Sequence, residues 1–166
     1  MLVLIAIGLA YQANRIAHET ARRQLRAYIT VQTPRMNHHP AVGLLLEFAL
    51  DAVNCGQTPA KAIRWKAKFA YVPDEDRDAI LNKFDPDVFL SDSVLGADDT
   101  ASRSGKLPRP LTEDDAKRLS DGTAQIYVFG TIKYKDIFLN EQTTTYRAFY
   151  TSDHGFVWDT EGNDAT

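Results

Sequence analysis

The chain carries one cysteine, Cys55, in 166 residues. A lone cysteine excludes an intramolecular disulfide and is compatible with a reducing compartment. A basic excess is also missing. The formal net charge is −3, which argues against a general nucleic-acid binder, since those carry a strong positive balance. Long apolar runs are missing too. The opening Met1–Tyr11 (MLVLIAIGLAY) is almost wholly apolar, but a membrane-spanning helix needs about 20 such residues. There is no phosphate-binding glycine loop, no zinc-type Cys/His spacing, no EF-hand loop and no Gly-x-Ser-x-Gly elbow. The chemistries those motifs support therefore have no local signature. No internal repeat is visible. At 18.6 kDa and 44% hydrophobic residues, the chain fits one domain plus an extension, with a core that needs no staples.

What is present is a β pattern. Between Leu44 and Val53, Leu46, Phe48 and Leu50 alternate with Glu47, Ala49 and Asp51. A period of two places one set on a core face and the other toward water. The alternation slips at Ala52-Val53, which predicts a bulge or a strand end there. Asn54-Cys55-Gly56-Gln57-Thr58-Pro59-Ala60 then reads as a turn, with Asn54 and Gly56 as residues tolerant of positive φ. Downstream, Ile63, Trp65, Ala67, Phe69 and Tyr71 alternate with Arg64, Lys66, Lys68 and Ala70, a half-buried strand with a basic outer face. Further on, Ile126, Val128, Gly130, Ile132 and Tyr134 share one face, and Tyr127, Phe129, Thr131 and Lys133 the other. The Thr- and Tyr-rich Gln142–Ser152 follows the loop Lys135–Glu141, which predicts a hairpin. Ala27–Thr33 and Phe156–Trp158 add a first and a last strand. About six short strands suggest a small antiparallel sandwich.

Helices are fewer. Gln12–Arg26 reads as a helix with Ile16, Ala17, Ala21 and Leu25 near one face and Arg15, Arg22, Arg23 and Arg26 elsewhere. Thr112 is the expected N-cap of a short helix ahead of the C-terminal hairpin. Acids fill its first turn, Lys117-Arg118 lie near its end, and Gly122 is its stop. Pro73–Arg109 is irregular, with a helical turn at Ala79-Ile80-Leu81 and an exposed loop over Ser91–Gly105. The chain thus divides into an apolar-then-basic helix at 1–26, a β-sandwich at 27–158 and a disordered tail at 159–166.

The N-terminus has three readings: a membrane helix whose start lies upstream of Met1, a cleaved leader with Gly8-Leu9-Ala10 as its site, or a helix docked on the sandwich. No basic segment precedes the apolar run, so a leader is disfavoured. The membrane helix is the reading adopted. Positive charge following it favours the cytoplasmic side, so that the sandwich would face the cytosol. Self-pairing of the helix would make a homo-oligomer, although two heptads are too few to specify one.

Each candidate chemical group has a structural counterpart. Cys55 reads as a small turn residue. His38-His39, between Pro34 and Pro40, could ligate a metal only with further ligands, and otherwise are polar loop residues. Asp153-His154 resembles a base with its orienting acid, but strand neighbours rarely face each other. Asp98-Asp99 reads as a loop tip and Asp114-Asp115 as a helix first turn. Arg64, Lys66 and Lys68, with Arg22, Arg23 and Arg26, would suit anionic lipid or an acidic partner, or simply form a solvated face. Tyr127 and Phe129 form either a binding patch or the bed of the helix at 112–120; cover by that helix is expected. No residue is assigned a catalytic, cofactor-binding or metal-binding role.

Several motifs occur in order: Arg23-Gln24-Leu25-Arg26-Ala27-Tyr28, Asn54–Ala60, Leu111-Thr112-Glu113, Gly122–Gly130 and Tyr134-Lys135-Asp136-Ile137-Phe138. Together, from about Arg15 to Tyr150, they resemble a broad group of uncharacterised, membrane-anchored bacterial proteins with an immunoglobulin-like β-sandwich. The resemblance implies fold and anchoring in a bacterial inner membrane, and no activity. The expected function is a membrane-tethered interaction module without catalysis, binding an unknown protein partner and no nucleic acid. The alternatives are a hydrolase or metal-dependent enzyme using His38, His39, Asp153 or His154, and an envelope sugar- or peptide-binding domain.

Overall fold

A computed structural model describes residues 2–82 and 93–165. In chain order it contains α1 (Leu2–Leu25), β1 (Ile29–Val31), β2 (Arg35–Met36), β3 (Glu47–Asn54) and β4 (Ala60–Pro73). A single 3-10 turn then leads into α2 (Arg77–Asn82), followed by β5 (Ser93–Leu95) and β6 (Thr100–Lys106). The chain continues with α3 (Glu113–Ser120), β7 (Ala124–Lys135), β8 (Glu141–Thr151), β9 (Gly155–Trp158) and β10 (Asp164–Ala165). The strands form two antiparallel sheets. In the four-stranded sheet, β3 is central, with β6 along one edge and β1 and β2 sharing the other. The six-stranded sheet runs β5-β4-β7-β8, with β9 and β10 sharing the far edge of β8.

One core joins the sheets. Phe48 and Leu50 of β3 meet Trp65, Ile126, Val128, Ile132, Tyr146 and Ala148 of the facing sheet. Phe48 stacks on Phe69 with ring centroids 5.1 Å apart, and meets Phe156 edge-on at 6.0 Å. Such pairs add to the stabilisation from burial alone. The Phe69 ring lies where a Cβ of Gly105 would be, so β6 approaches the core closely only because that residue is glycine. A polar link crosses the same core. Tyr146 Oη accepts from Trp65 Nε1–H at 2.9 Å and donates to the Lys66 carbonyl at 2.9 Å. Burial pushes the Tyr146 pKa up, so the phenol remains a donor. Gly130 leaves the space: a Cβ there would strike the Lys66 carbonyl and the Tyr146 hydroxyl.

Most alternations hold. The Ile63, Trp65 and Ile126, Val128, Ile132 faces point into the core, and the hairpin of β7 and β8 turns at residues 136–140 as expected. Thr112 is the N-cap of α3, in a capping box with Asp115, and Gly122 follows with φ +72°.

Other expectations are corrected. Among the described residues there are ten strands, not six. β6 falls in the stretch read as a loop; positions 91 and 92 of that stretch, like 83–90, lie outside the described residues. Its sequence, TASRSGK, is polar because it is an edge strand, only half-buried on one face. Of the two alternatives at Ala52-Val53 there is no bulge, and β3 ends one residue later at Asn54; the irregularity sits in β4 between Ala60 and Ile63, where Ala62 has φ 51°. Neither Asn54 nor Gly56 has positive φ. The turn between two strands is where it was expected, and it carries the chain from one sheet to the other. Tyr127 and Phe129 are covered from the side of α2, through Ile80 and Leu81, rather than by α3. Asp164 and Ala165, in the stretch expected to be a disordered tail, pair with Thr145 and Thr144.

The N-terminal helix differs most from expectation. No helix among the described residues is long and apolar enough to cross a membrane. Nor do residues 7–25 of α1 join the core of the sheets: they are exposed, with Leu9 at 63% and Ile16 at 64%.

Candidate functional site

The sequence-nominated histidines and aspartates do not assemble. His38, Asp153 and His154 are exposed. Asp153 accepts from the Ser152 hydroxyl at 2.9 Å, and the His154 N–H donates to Thr151 Oγ1. His39 alone reaches a partner of interest, with Nδ1 2.9 Å from Tyr150 Oη. The pair borders a groove of about 500 Å³ between α3 and β8, lined also by Leu119, Gln125 and Ser152. Burial pushes the Tyr150 pKa up, which keeps the phenol protonated at neutral pH. Among the described residues no three His, Cys, Asp or Glu side chains are grouped to hold a metal ion. His38, Asp153 and His154 do not line the groove, so of the four side chains named in the hydrolase and metal-enzyme readings only His39 reaches it.

The opposite end of the domain, where α1 enters, is built with more care. Asn54 is fully buried. Its Oδ1 accepts from the N–H groups of Tyr28 and Gly56, at 3.0 and 3.1 Å. Its Nδ2 donates to the carbonyls of Thr58, Leu95 and Gly96. One side chain thus ties the start of β1, the β3–β4 connection and the β5–β6 connection. Gly56 lies 2.5 Å from the Tyr28 nitrogen, measured from where a Cβ would stand; close approach of two backbones explains this glycine. The Thr58 hydroxyl donates to the Leu25 carbonyl at 2.5 Å, which satisfies an orphan acceptor at the end of α1. Cys55 is exposed, 3.2 Å from Thr30 Oγ1.

The β7–β8 turn stands at the same end. Asp136 is buried, and Oδ1 accepts from the Phe138 and Asn140 N–H groups while Oδ2 accepts from the Asn140 and Gln142 side-chain amides. With these bonds the carboxylate fixes the turn, as aspartate does in an Asx turn. The turn presents Ile137 and Leu139 to solvent, 37% and 70% exposed. Leu139 has φ 65°, a region that costs a leucine about 1–2 kcal/mol. Arg22 of α1 lies over the Phe138 ring, 5.4 Å from its centroid, within cation–π range. Beside the turn, Lys61 faces Lys135 and Arg64 faces Lys133 across the β4–β7 ladder, all four exposed.

Charge at the far end has the other sign. Asp74, Glu75 and Asp76 lead into α2, Asp78 lies in its first turn, and Glu113 and Asp114 open α3. Asp115 is buried, and the Arg109 guanidinium bonded to it holds its carboxyl well below the usual carboxylate range, despite the opposing effect of burial. Asp98-Asp99 is a loop tip as expected, with Asp99 Oδ2 accepting from the Gly96 N–H.

No protein-family model matches this chain, and no curated protein matches it. The site must therefore be read from its own chemistry. The sequence nominated the basic strand face and the arginines of α1, but not the turn that joins them. Its available signal was Lys135-Asp136-Ile137-Phe138-Leu139-Asn140, in which an aspartate opens a turn whose next three residues are apolar.

Proposed function

We propose that the protein is a non-enzymatic interaction module, an immunoglobulin-like two-sheet domain tethered to a membrane surface through its N-terminal helix. The observation that carries this reading is the exposure of α1. Its side chains from residue 7 to 25 make no core on their own chain, yet Ile7, Leu9, Tyr11 and Ile16 are each at least 60% exposed. Most helical stability in proteins comes from a buried apolar face, so a helix of this composition calls for an outside partner. The apolar start would embed in lipid, and Arg15, Arg22, Arg23 and Arg26 would lie at the interface. Basic residues after the apolar part favour placing the domain on the cytoplasmic side of a bacterial inner membrane.

Fusing a reporter that fluoresces only in the cytosol to the C-terminus, expressed with the native upstream region, tests this. Fluorescence in the membrane fraction is expected. Fluorescent protein confined to the soluble fraction would overturn the tether, and membrane-bound protein without fluorescence would overturn the orientation. A second reading, binding of a sugar or peptide in the His39–Tyr150 groove, is favoured by a volume of about 500 Å³, which lies in the range of small-ligand sites. It predicts chemical-shift changes at Leu119 and Tyr150 on titration with oligosaccharides or peptides.

A further inference from the structure

We propose that the α1 end of the domain docks on an anionic lipid bilayer, with Ile137 and Leu139 inserted and the lysines around them set on the headgroups. The proposal rests on the tethering reading and names the surface that follows from it. Three independent features meet there. The first is the apolar tip. Leu139 is 70% exposed and holds φ 65°, so it bears both a hydration cost and a backbone cost that asparagine or glycine would avoid. Unfavourable backbone persists where the surroundings over-determine it, and such residues gather at functional sites. Here Asp136 fixes the turn through its four accepted hydrogen bonds. A tip already fixed loses little entropy on insertion.

The second feature is charge. Like charges directly opposite in an antiparallel ladder are destabilising, yet β4 and β7 place Lys61 against Lys135 and Arg64 against Lys133. Among the described residues, Glu141 stands opposite Lys135 at the start of β8, and Asp98 and Asp99 lie in the β5–β6 connection; Lys61, Lys133 and Lys135 with Arg22 and Arg23 outnumber these three acids. Acids dominate the far end around α2 and α3. In a chain of net charge −3, this segregation turns the basic end toward a negative surface. The third feature is direction. The Thr58–Leu25 bond and the Arg22–Phe138 contact bring α1 out beside the turn, so anchor and tip leave the domain at one end. An acidic protein would satisfy the charge alone; an anionic bilayer satisfies the charge, the apolar tip and the helix together.

The test uses the full chain carrying Cys55→Ser and Ile137→Cys, labelled at the new thiol with a polarity-sensitive fluorophore. It is mixed with phosphatidylcholine vesicles, or with vesicles of equal parts phosphatidylcholine and phosphatidylglycerol, and each sample is also sedimented. Co-sedimentation reports the tether, and the fluorophore reports the tip. The expected result is a blue shift with the anionic vesicles only. Lys133→Gln with Lys135→Gln should raise the lipid concentration for half-maximal shift by about thirtyfold. Leu139→Asn, which suits the left-handed backbone and so should fold, should raise it by about tenfold. Protein that sediments with both vesicle types but shows no shift would overturn the docking and leave the tether intact. A shift insensitive to the two lysines, or equal on both lipids, would also overturn it. A lysine-dependent shift on anionic vesicles without sedimentation on neutral ones would support the docking and count against the helix as anchor.

Discussion

Replacing Asn54 by alanine tests whether one buried side chain holds the α1 end of the domain together. Asn54 has no exposed surface and engages five backbone groups from three segments. Alanine removes every partner at once. The Tyr28 and Gly56 N–H groups lose their acceptor, and each buried donor left unpaired costs about 1–3 kcal/mol. Both residues are only half-buried, so water can partly substitute, and the lower part of that range applies to them. The buried Leu95 carbonyl loses a donor with less access to water. The expected loss is about 3 kcal/mol, a large fraction of a stability of about 5–15 kcal/mol. Urea unfolding followed by tryptophan fluorescence measures it, with an unchanged m value as the sign that the unfolded state is the same. Hydrogen exchange should accelerate at the Tyr28 and Gly56 amides while the β7–β8 ladder stays protected. Asn54→Asp is the companion: it keeps the acceptor but sets an oxygen against three carbonyls, so its defect should be worst at neutral pH and ease when the carboxyl is protonated. A loss below about 1 kcal/mol for alanine, with exchange unaltered at the two amides, would refute the reasoning.

Gly130→Ala should cost about 3 kcal/mol, because the new Cβ meets the Lys66 carbonyl and the Tyr146 hydroxyl; urea midpoints check it. Tyr146→Phe should cost about 2 kcal/mol by orphaning the Trp65 indole N–H, and a shift in tryptophan emission should accompany it. Asp115 has its folded pKa lowered, first by Arg109. Its stabilisation is therefore complete above the ordinary carboxylate range and is lost as pH falls below that range toward the folded value. Asp115→Asn should flatten the acid limb of a stability-against-pH curve, and an unchanged limb would contradict the pairing. Leu139→Asn should raise stability by about 1 kcal/mol, since the leucine is exposed and left-handed; a loss would mean that its side chain holds the turn.

The sequence by itself determined the faces and the caps. Alternation at Leu46, Phe48 and Leu50, and again at Ile126, Val128 and Ile132, settled which side of each strand is buried, because a period of two has only two phases. Thr112 and Gly122 marked the ends of α3, because capping is local chemistry within one turn. Pairing was decided elsewhere. β6 is polar and was legible only as a loop; it is a strand because β3 offers it an open edge along seven positions. Asn54 and Gly56 looked like turn residues chosen for backbone freedom. Tertiary structure gave them other work, a five-bond clamp and a close backbone approach, with ordinary φ at both. Of the candidate histidines and aspartates, which were chosen as sequence neighbours, only His39 lines a groove, since residues adjacent in a chain gain no shared pocket from adjacency. The loop at Asp136 was legible but its setting was not, because that lies in what stands around it: Arg22 from one end of the chain and Lys61 from the paired strand. Local periodicity fixes what each segment buries; only long-range packing decides which buried and exposed groups share an end of the molecule.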